Sequence, residues 1–445
     1  METPRRARAL QRIEQMAPPA AHRGATTKQV AEVRSGGALA ERVRAFAQQK
    51  LSDFPWPVVF HDWTGATYEA GGSEKHWSPG PLVVTLKTER AARTLLGHDA
   101  LGFLDRFLEG EVDLTGNLYL LTDIKRYARF DLKALQKVPS LLLHAAFQDR
   151  ARARVNVRSH YDIPQEALNL YLDRSYQSYS CAFFEDPTKR EPGDLLRVGA
   201  GEADAFDSLE KAQWRKFKDA VDFVAPAPGE TLLDIGCGYG GQLRVALENH
   251  PFGKVVGWTL SANQAREGAG RLAARFDESR WEINEGDYRE ETRVFDHVTS
   301  TGMVCHVGPR GLVPYVRHIR KHIRTGGRYL HHCMMISHRR VPHDWDVGII
   351  FNKKYVWPGF HWFTPATHVR ALEQNGFVVR RMVNRSEHYA KTTAAWYERM
   401  MAEKEAVIGH VGEPTFRAWQ VFLAGVTASY LNGEVYLYRL YCEAV

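Results

Sequence analysis

Cysteine is scarce: the 445 residues hold five, Cys181, Cys237, Cys305, Cys333 and Cys442, with no Cys-x-x-Cys pair. The odd count and wide spacing argue against a disulfide framework and for a reducing, cytoplasmic setting. No closely spaced Cys/His set reads as a zinc site, so no metal is expected. No run approaches the ~20 apolar residues of a spanning helix. The first 30 residues are basic, contain Pro18 and Pro19, and lack the apolar stretch of a secretory signal. Contact with lipid is therefore expected to be peripheral, at the inner face of the membrane. Internal repeats and low-complexity tracts are absent. So is any basic run interleaved with aromatics beyond the tail, which argues against nucleic acid as a partner. Neither sign of charge dominates: 59 Lys plus Arg face 52 Asp plus Glu, a net +7. That mild excess suits transient contact with an anionic membrane surface.

What is present reads as a soluble globular chain, 44% apolar and 25% charged, long enough for two or three domains. Residues 1–35 form a basic, flexible tail. Residues 36–140 read as a small α/β domain: a helix over 38–50, strands near 58–60, 67–69 and 81–86, and helices over 91–97 and 101–108. Residues 125–156 look helical and basic. Residues 141–445 form the larger unit. There, a helix over 208–223 precedes a buried strand over 231–235, a glycine loop and a helix over 242–249. A strand over 255–259, a helix through Phe276, a strand over 295–300, a helix over 315–323 and a strand over 329–335 follow. Strands alternating with helices predict a doubly wound, mainly parallel, Rossmann-like sheet with its ligand at the carboxyl ends of the strands.

Gly236, Gly238 and Gly241 fit G-x-G-x-x-G between a strand and a helix. Glycines permit the tight turn and the close approach of backbone to ligand, and the helix N-terminus attracts electronegative groups. A dinucleotide is the rival ligand. Asp234, two residues before the first glycine, would repel a pyrophosphate but suits a ligand carrying an ammonium and a sulfonium. The acid that a dinucleotide ribose needs about 20 residues on is missing; the chain there reads Val256-Gly257-Trp258-Thr259-Leu260-Ser261. The order Leu-Leu-Asp-Ile-Gly-Cys-Gly-x-Gly-Gly is the first motif of class I methyltransferases, so the expected ligand is S-adenosylmethionine.

Further segments carry a narrower resemblance. Tyr179-Ser180-Cys181-Ala182-Phe183-Phe184, Leu209-Glu210-Lys211-Ala212-Gln213, Gly257 to Gln264, Phe295 to Gly308, Tyr355 to Gly359 and His388 to Trp396 resemble successive signatures of the cyclopropane-fatty-acyl-phospholipid synthase and mycolic acid cyclopropane synthase family. Gly102-Phe103-Leu104-Asp105 and residues 110–116 are similar to the small domain of its longer members. The resemblance implies a class I methyltransferase fold, methyl transfer to unsaturated phospholipid acyl chains, and a homodimer formed through the small domain. It implies cofactor contacts at Tyr179, Ser180, Asp234, Gly236, Gly238, Gly240, Thr259, Leu260, Gln264, Asp287 and Tyr288. It also implies a bicarbonate ion near the transferred methyl, held by Cys181, His332, Tyr389 and the backbone at Met334. The family pattern Glu-His-Val-Gly is here Cys305-His306-Val307-Gly308. A thiol cannot supply a carboxylate's acceptor pair, so bicarbonate and ring closure stay open, with Cys305 either a filler or part of a reshaped site.

An isolated alkene is a poor nucleophile, so alignment and exclusion of water must carry the reaction. Aromatic faces steady the resulting carbocation by about 0.5–2 kcal/mol each; Tyr161, Phe184, Tyr389 and Trp396 are candidates. Loss of a proton from the added methyl closes a ring, and loss from the chain leaves a branch. Either needs a base, for which His332, or an anion held by His332 and Tyr389, is the candidate. A small-molecule methyltransferase of the same fold and a non-catalytic lipid-binding relative are the competing readings.

Overall fold

The computed structural model describes residues 27–127, 164–185, 208–337 and 346–445, with side chains from residue 37 onward. Helix α1 (Thr27–Lys50) starts inside the expected tail. Its buried residues Leu39, Val43 and Ala47 recur every four positions, one stripe of a helix that Leu51 continues just past its end. Strands β1 (Val58–His61), β2 (Thr67–Ala70) and β3 (Leu82–Leu86) follow, then helices α2 (Glu89–Leu96) and α3 (Ala100–Leu108), strand β4 (Val112–Gly116) and helix α4 (Leu120–Tyr127). Thr88 and Asp99 cap α2 and α3 by accepting from Ala91 N and Gly102 N. The sheet order is β2-β1-β3-β4, with β1 and β3 parallel and the outer pairs antiparallel.

The second sheet is built from α5 (Gln165–Tyr171), α6 (Leu209–Val224), β5 (Thr231–Ile235), α7 (Gly241–Asn249), β6 (Lys254–Thr259), α8 (Ala262–Ala273), β7 (Trp281–Glu285), β8 (His297–Thr301), α9 (Leu312–Lys321), β9 (Arg328–Ile336), α10 (Val347–Tyr355), α11 (Pro365–Glu373), β10 (Phe377–Asn384), α12 (Ser386–Ala402), α13 (Lys404–Val411), α14 (Glu413–Leu431) and β11 (Val435–Ala444). Its order is β10-β11-β9-β8-β5-β6-β7. Strands β5 to β9 pair in parallel, and β11 runs antiparallel between β9 and β10. This is the mixed α/β sheet of a class I methyltransferase. The chain leaves β5 on one side toward β6 and returns on the other at β8, so the crevice where the winding reverses lies at the carboxyl end of β5.

Helix α8 stops at Ala273 rather than running through Phe276, its last turn closing in a bifurcated bond from the Ala274 N–H to the carbonyls of Gly270 and Leu272. The closing strands β10 and β11 are not among the predicted elements. The expected basic helix over 125–156 falls mostly, and the expected boundary near 140 wholly, outside the described residues.

One apolar core joins the two sheets: Val58, Leu82 and Phe107 belong to the same cluster as Trp396, Tyr397, Trp419 and Phe422. Tyr119 packs on Tyr397 with ring centroids 5.4 Å apart. Arg417 of α14 donates to the carbonyls of Phe107 (2.9 Å) and Val112 (3.0 Å), and its Nη2 to the Asp113 carboxylate. Among the described residues no helix is long and apolar enough to cross a membrane.

Candidate active site

Gly236, Gly238 and Gly240 adopt φ of +79°, +55° and +75°, a region that L side chains rarely enter. The turn is pinned to the neighbouring strand, since Gly236 N and Cys237 N both donate to the Trp258 carbonyl at 3.0 Å. A Cβ built on Gly238 meets no atom within 4 Å, because it points into open space. That space is a cavity of about 730 Å³ at the carboxyl ends of β5, β6 and β8, a volume typical of small-molecule sites. Asp234, Gly236, Gly238, Thr259, Leu260, Gln264, Asp287, Tyr288, Tyr179 and Ser180 all line it. Gly240 does not; its Cα hydrogens face Ile283 Cδ1, 3.2 Å from a built Cβ, so its role is to let the loop pack on β7.

Asp234 is 2% exposed and accepts from Thr299 Oγ1 at 2.8 Å. Burial raises its carboxyl to about 7, against the pull of the Thr299 hydroxyl and of Lys216. A buried acid held half-neutral is a site waiting for positive charge. A ligand bearing ammonium and sulfonium groups restores the carboxylate, so binding expels a proton. Affinity for such a donor should therefore rise with pH through about 7, by up to about tenfold per pH unit on the acid side. Calorimetry in buffers of different ionisation heat measures both affinity and proton release. A flat profile, or the same slope in Asp234→Asn, would refute this reading.

On the opposite wall, Thr259 Oγ1 donates to Gln264 Oε1 at 2.8 Å, and Ser261 caps α8 by accepting from Gln264 N. Asp287 accepts from Arg289 N and Nε at 3.0 and 2.8 Å. Tyr288 stands edge-on to Tyr315 and His318.

The segment from Tyr176 to Ser180 forms the third wall, and the residues that shape it from behind escape the sequence reading. The Asp173 carboxylate accepts from Tyr176 N (2.6 Å) and Ser178 N (2.7 Å). Gln213 Nε2 donates to the Ser180 carbonyl at 2.9 Å. Lys216 Nζ reaches Ser178 Oγ at 2.6 Å and Ser180 Oγ at 2.9 Å, with the side chain wholly buried. Burial pulls the Lys216 ammonium below the ordinary lysine range, with Asp173 opposing. A signal was available: the buried stripe of α6 runs Leu209, Ala212, Gln213, Lys216, Phe217, Ala220, Val221, Val224. An amide and an ammonium inside an apolar stripe require partners within the fold.

Among the described residues, none of Cys181, Cys305, His332 and Tyr389 lines the cavity, whereas Ser180, Tyr179 and His306 do. Tyr161 lies outside the described residues. Cys181 Sγ donates to the Ala182 carbonyl at 3.3 Å, and burial pushes its thiol up to about 12. Cys305 Sγ donates to the Gly302 carbonyl at 3.1 Å, and burial likewise pushes it to about 12. Both are neutral thiols rather than nucleophiles. His332 accepts from Arg439 Nε at 3.2 Å. Burial, then Arg439 and Lys216, hold its imidazole neutral. Tyr389 stacks on Tyr430 at 4.9 Å. Cys181, Cys305 and Tyr389 all act electrostatically on the buried Tyr430 phenol, whose acidity burial suppresses first. From this cluster an aromatic row leads back to the cavity. Tyr389 meets Trp396 edge-on at 6.1 Å, and Trp396 lies flat against Tyr179 at 5.0 Å and 10°.

The family model described as mycolic acid cyclopropane synthetase matches residues 148–440. A probable fatty acid methyltransferase of Mycobacterium tuberculosis is 28% identical over 305 residues, 68% of this chain and 65% of its own length. The chain thus spans just under two thirds of that relative. A probable fatty acid methyltransferase of Pseudomonas putida is 27% identical over 408 residues, 88% of this chain and 92% of its own. The crystal structure of a mycolic acid cyclopropane synthase complexed with SAH and CTAB superposes with a TM-score of 0.58 at 25% identity. The match covers 65% of this chain and 98% of that one.

Proposed function

Because the chain belongs to the mycolic acid cyclopropane synthetase family and is an S-adenosylmethionine-dependent methyltransferase acting on lipid, we propose that its substrate is the double bond of an unsaturated fatty-acyl chain of a phospholipid. The donor fits the cavity on two observations. The left-handed loop leaves open space over Gly238, and Asp234 is a buried acid whose carboxyl burial raises to about 7 despite the nearby Lys216. When bound, S-adenosylmethionine supplies an electrophilic methyl that an alkene takes up, leaving a carbocation beside the new branch.

The observation that carries the acyl reading is the aromatic row. Tyr179, on the cavity wall, lies flat on Trp396, with Tyr171 and Trp357 edge-on at 6.4 Å. Such faces exclude water and steady a passing cation without offering it a nucleophile. The neutral thiols of Cys181 and Cys305 keep that region free of thiolate, which the carbocation would alkylate. His306 lines the cavity, and burial lowers its imidazole to about 4, so it stays a neutral acceptor for the departing proton. The site of proton loss decides between cyclopropane and a methyl or methylene branch. The net charge of +7 suits work at the surface of an anionic membrane, peripheral to its cytoplasmic face.

Incubation with methyl-labelled S-adenosylmethionine and vesicles of unsaturated phospholipid tests the proposal. The expected result is label in the acyl chain, with mass and NMR distinguishing ring from branch. Label in no lipid, with cofactor binding intact, would overturn it. In the same assay Cys305→Glu should make the rate respond to added bicarbonate; indifference of both forms refutes an anion site beside Cys305.

A further inference from the structure

Side chains alternate along β9, so His331 and Cys333 share the face opposite His332 and pack toward α9 and α11. There they meet His368 of α11. His331 Nε2 lies 3.0 Å from His368 Nδ1. Cys333 Sγ lies 3.3 Å from His331 Nε2 and 3.9 Å from His368 Nδ1. All three side chains are at most 1% exposed. From this geometry we propose that His331, Cys333 and His368 bind one thiophilic transition-metal ion of the zinc type, at a structural site separate from the methyl-transfer cavity.

Tetrahedral zinc with Zn–N of about 2.0–2.1 Å and Zn–S of about 2.3 Å needs N···N and N···S separations of roughly 3.3–3.6 Å. The three observed distances bracket that range, so small side-chain adjustments centre an ion among them. A thiolate with two imidazoles is a donor set that such ions favour over Mg²⁺ or Ca²⁺.

The surrounding hydrogen bonds orient the first ligand. Ser300 Oγ donates to the Ile235 carbonyl at 3.2 Å, and Tyr315 OH donates to Ser300 Oγ at 2.6 Å. Tyr329 OH donates to Tyr315 OH at 3.4 Å. The Tyr329 oxygen lies 2.6 Å from His331 Nδ1. In the tautomer with the proton on Nδ1, that hydrogen goes to Tyr329 and the lone pair of Nε2 faces Cys333 and His368. Outer hydrogen bonds hold metal-ligating histidines in this way. Binding releases the Cys333 thiol proton to solvent and links β9 to α11 through the ion.

The sequence offers no hint of the site. Its ligands stand 35 residues apart at the widest step, on a strand and a helix, rather than in the short spacings that announce zinc motifs.

The test uses the full chain, purified without chelator and assayed for metal, then stripped and titrated with Co²⁺ and Zn²⁺. About one ion per chain is expected, with a thiolate-to-cobalt charge-transfer band in the cobalt form. Stripping should lower the unfolding midpoint while leaving S-adenosylmethionine affinity unchanged. Cys333→Val, which keeps the core filled, should fold and lose the band. A metal-free preparation whose cobalt titration gives no thiolate band would overturn the proposal and leave the trio as a hydrogen-bonded cluster. Because cofactor binding is read separately, failure here does not touch the methyltransferase assignment.

Discussion

Gly238→Val should abolish detectable S-adenosylmethionine binding while leaving a folded protein. Gly238 sits at φ +55°, and a Cβ built there meets nothing within 4 Å. The folded state thus bears only the backbone strain of a β-branched residue in the left-handed region, about 1–3 kcal/mol. The ligand suffers more. The added atoms occupy the space of the cavity itself, and the backbone can no longer approach the donor. A loss of at least about a hundredfold in affinity is expected, equivalent to about 2.7 kcal/mol. Gly65→Val is the matched control. Gly65 also has positive φ (+86°) and open space around its built Cβ, but it lies in the turn between β1 and β2. It should share the strain and keep the affinity. Calorimetry and thermal melts on both variants separate the effects, and unchanged affinity in Gly238→Val would refute the assignment of the loop.

Lys216→Met should cost activity rather than stability. The methionine keeps the length of the stem and removes a desolvated ammonium. Exchanging a buried charge for an apolar group of similar volume is often neutral or stabilising. Asp173 loses a favourable neighbour but keeps its two backbone donors, so the unfolding midpoint should move little. The wall of the cavity loses two hydrogen bonds from a charged donor, to Ser178 and Ser180. At about 1.5–3 kcal/mol each in favourable cases, even partial loss of that positioning predicts a fall in kcat/KM of about 10–100-fold. The donor KM should carry part of the change, since Ser178 and Ser180 line the cavity. An unaltered KM and kcat in a destabilised protein would make Lys216 a purely structural residue.

The cofactor half of the site was readable because its chemistry is local. A strand, three left-handed glycines and the segment from Thr259 to Gln264 are contiguous stretches whose spacing carries their geometry. The first three strands of the small sheet were readable for the same reason, as in the alternation of Leu82, Val84 and Leu86, but its edge strand β4 was not among the predicted elements. What escaped depends on distant partners. Strand β10 carries Arg380 and Arg381 in its middle, exposed at the sheet edge, so its alternation is lost and only pairing with β11 defines it. Asp173, Gln213 and Lys216 are ordinary polar residues until the fold brings them to one segment of cavity wall. The same holds for His331, Cys333 and His368. Of the residues that the resemblance pointed to, Cys181, His332 and Tyr389 do not line the cavity, whereas Tyr179, Ser180 and His306 do.

The core shared by the two sheets has an energetic consequence. Arg417 crosses from α14 to the backbone of Phe107 and Val112, with its guanidinium over the Phe107 ring at 5.1 Å. Thr122 of α4 donates to the Gly425 carbonyl of the same helix. Peeling away β1 to β4 would strip α12 and α14 of part of their own interior, and α12 carries both Tyr389 and Trp396. The amino-terminal sheet and the aromatic row are therefore one cooperative unit: opening either is charged against the stability of both, and the rigidity of the row is borrowed from a sheet that never touches the donor.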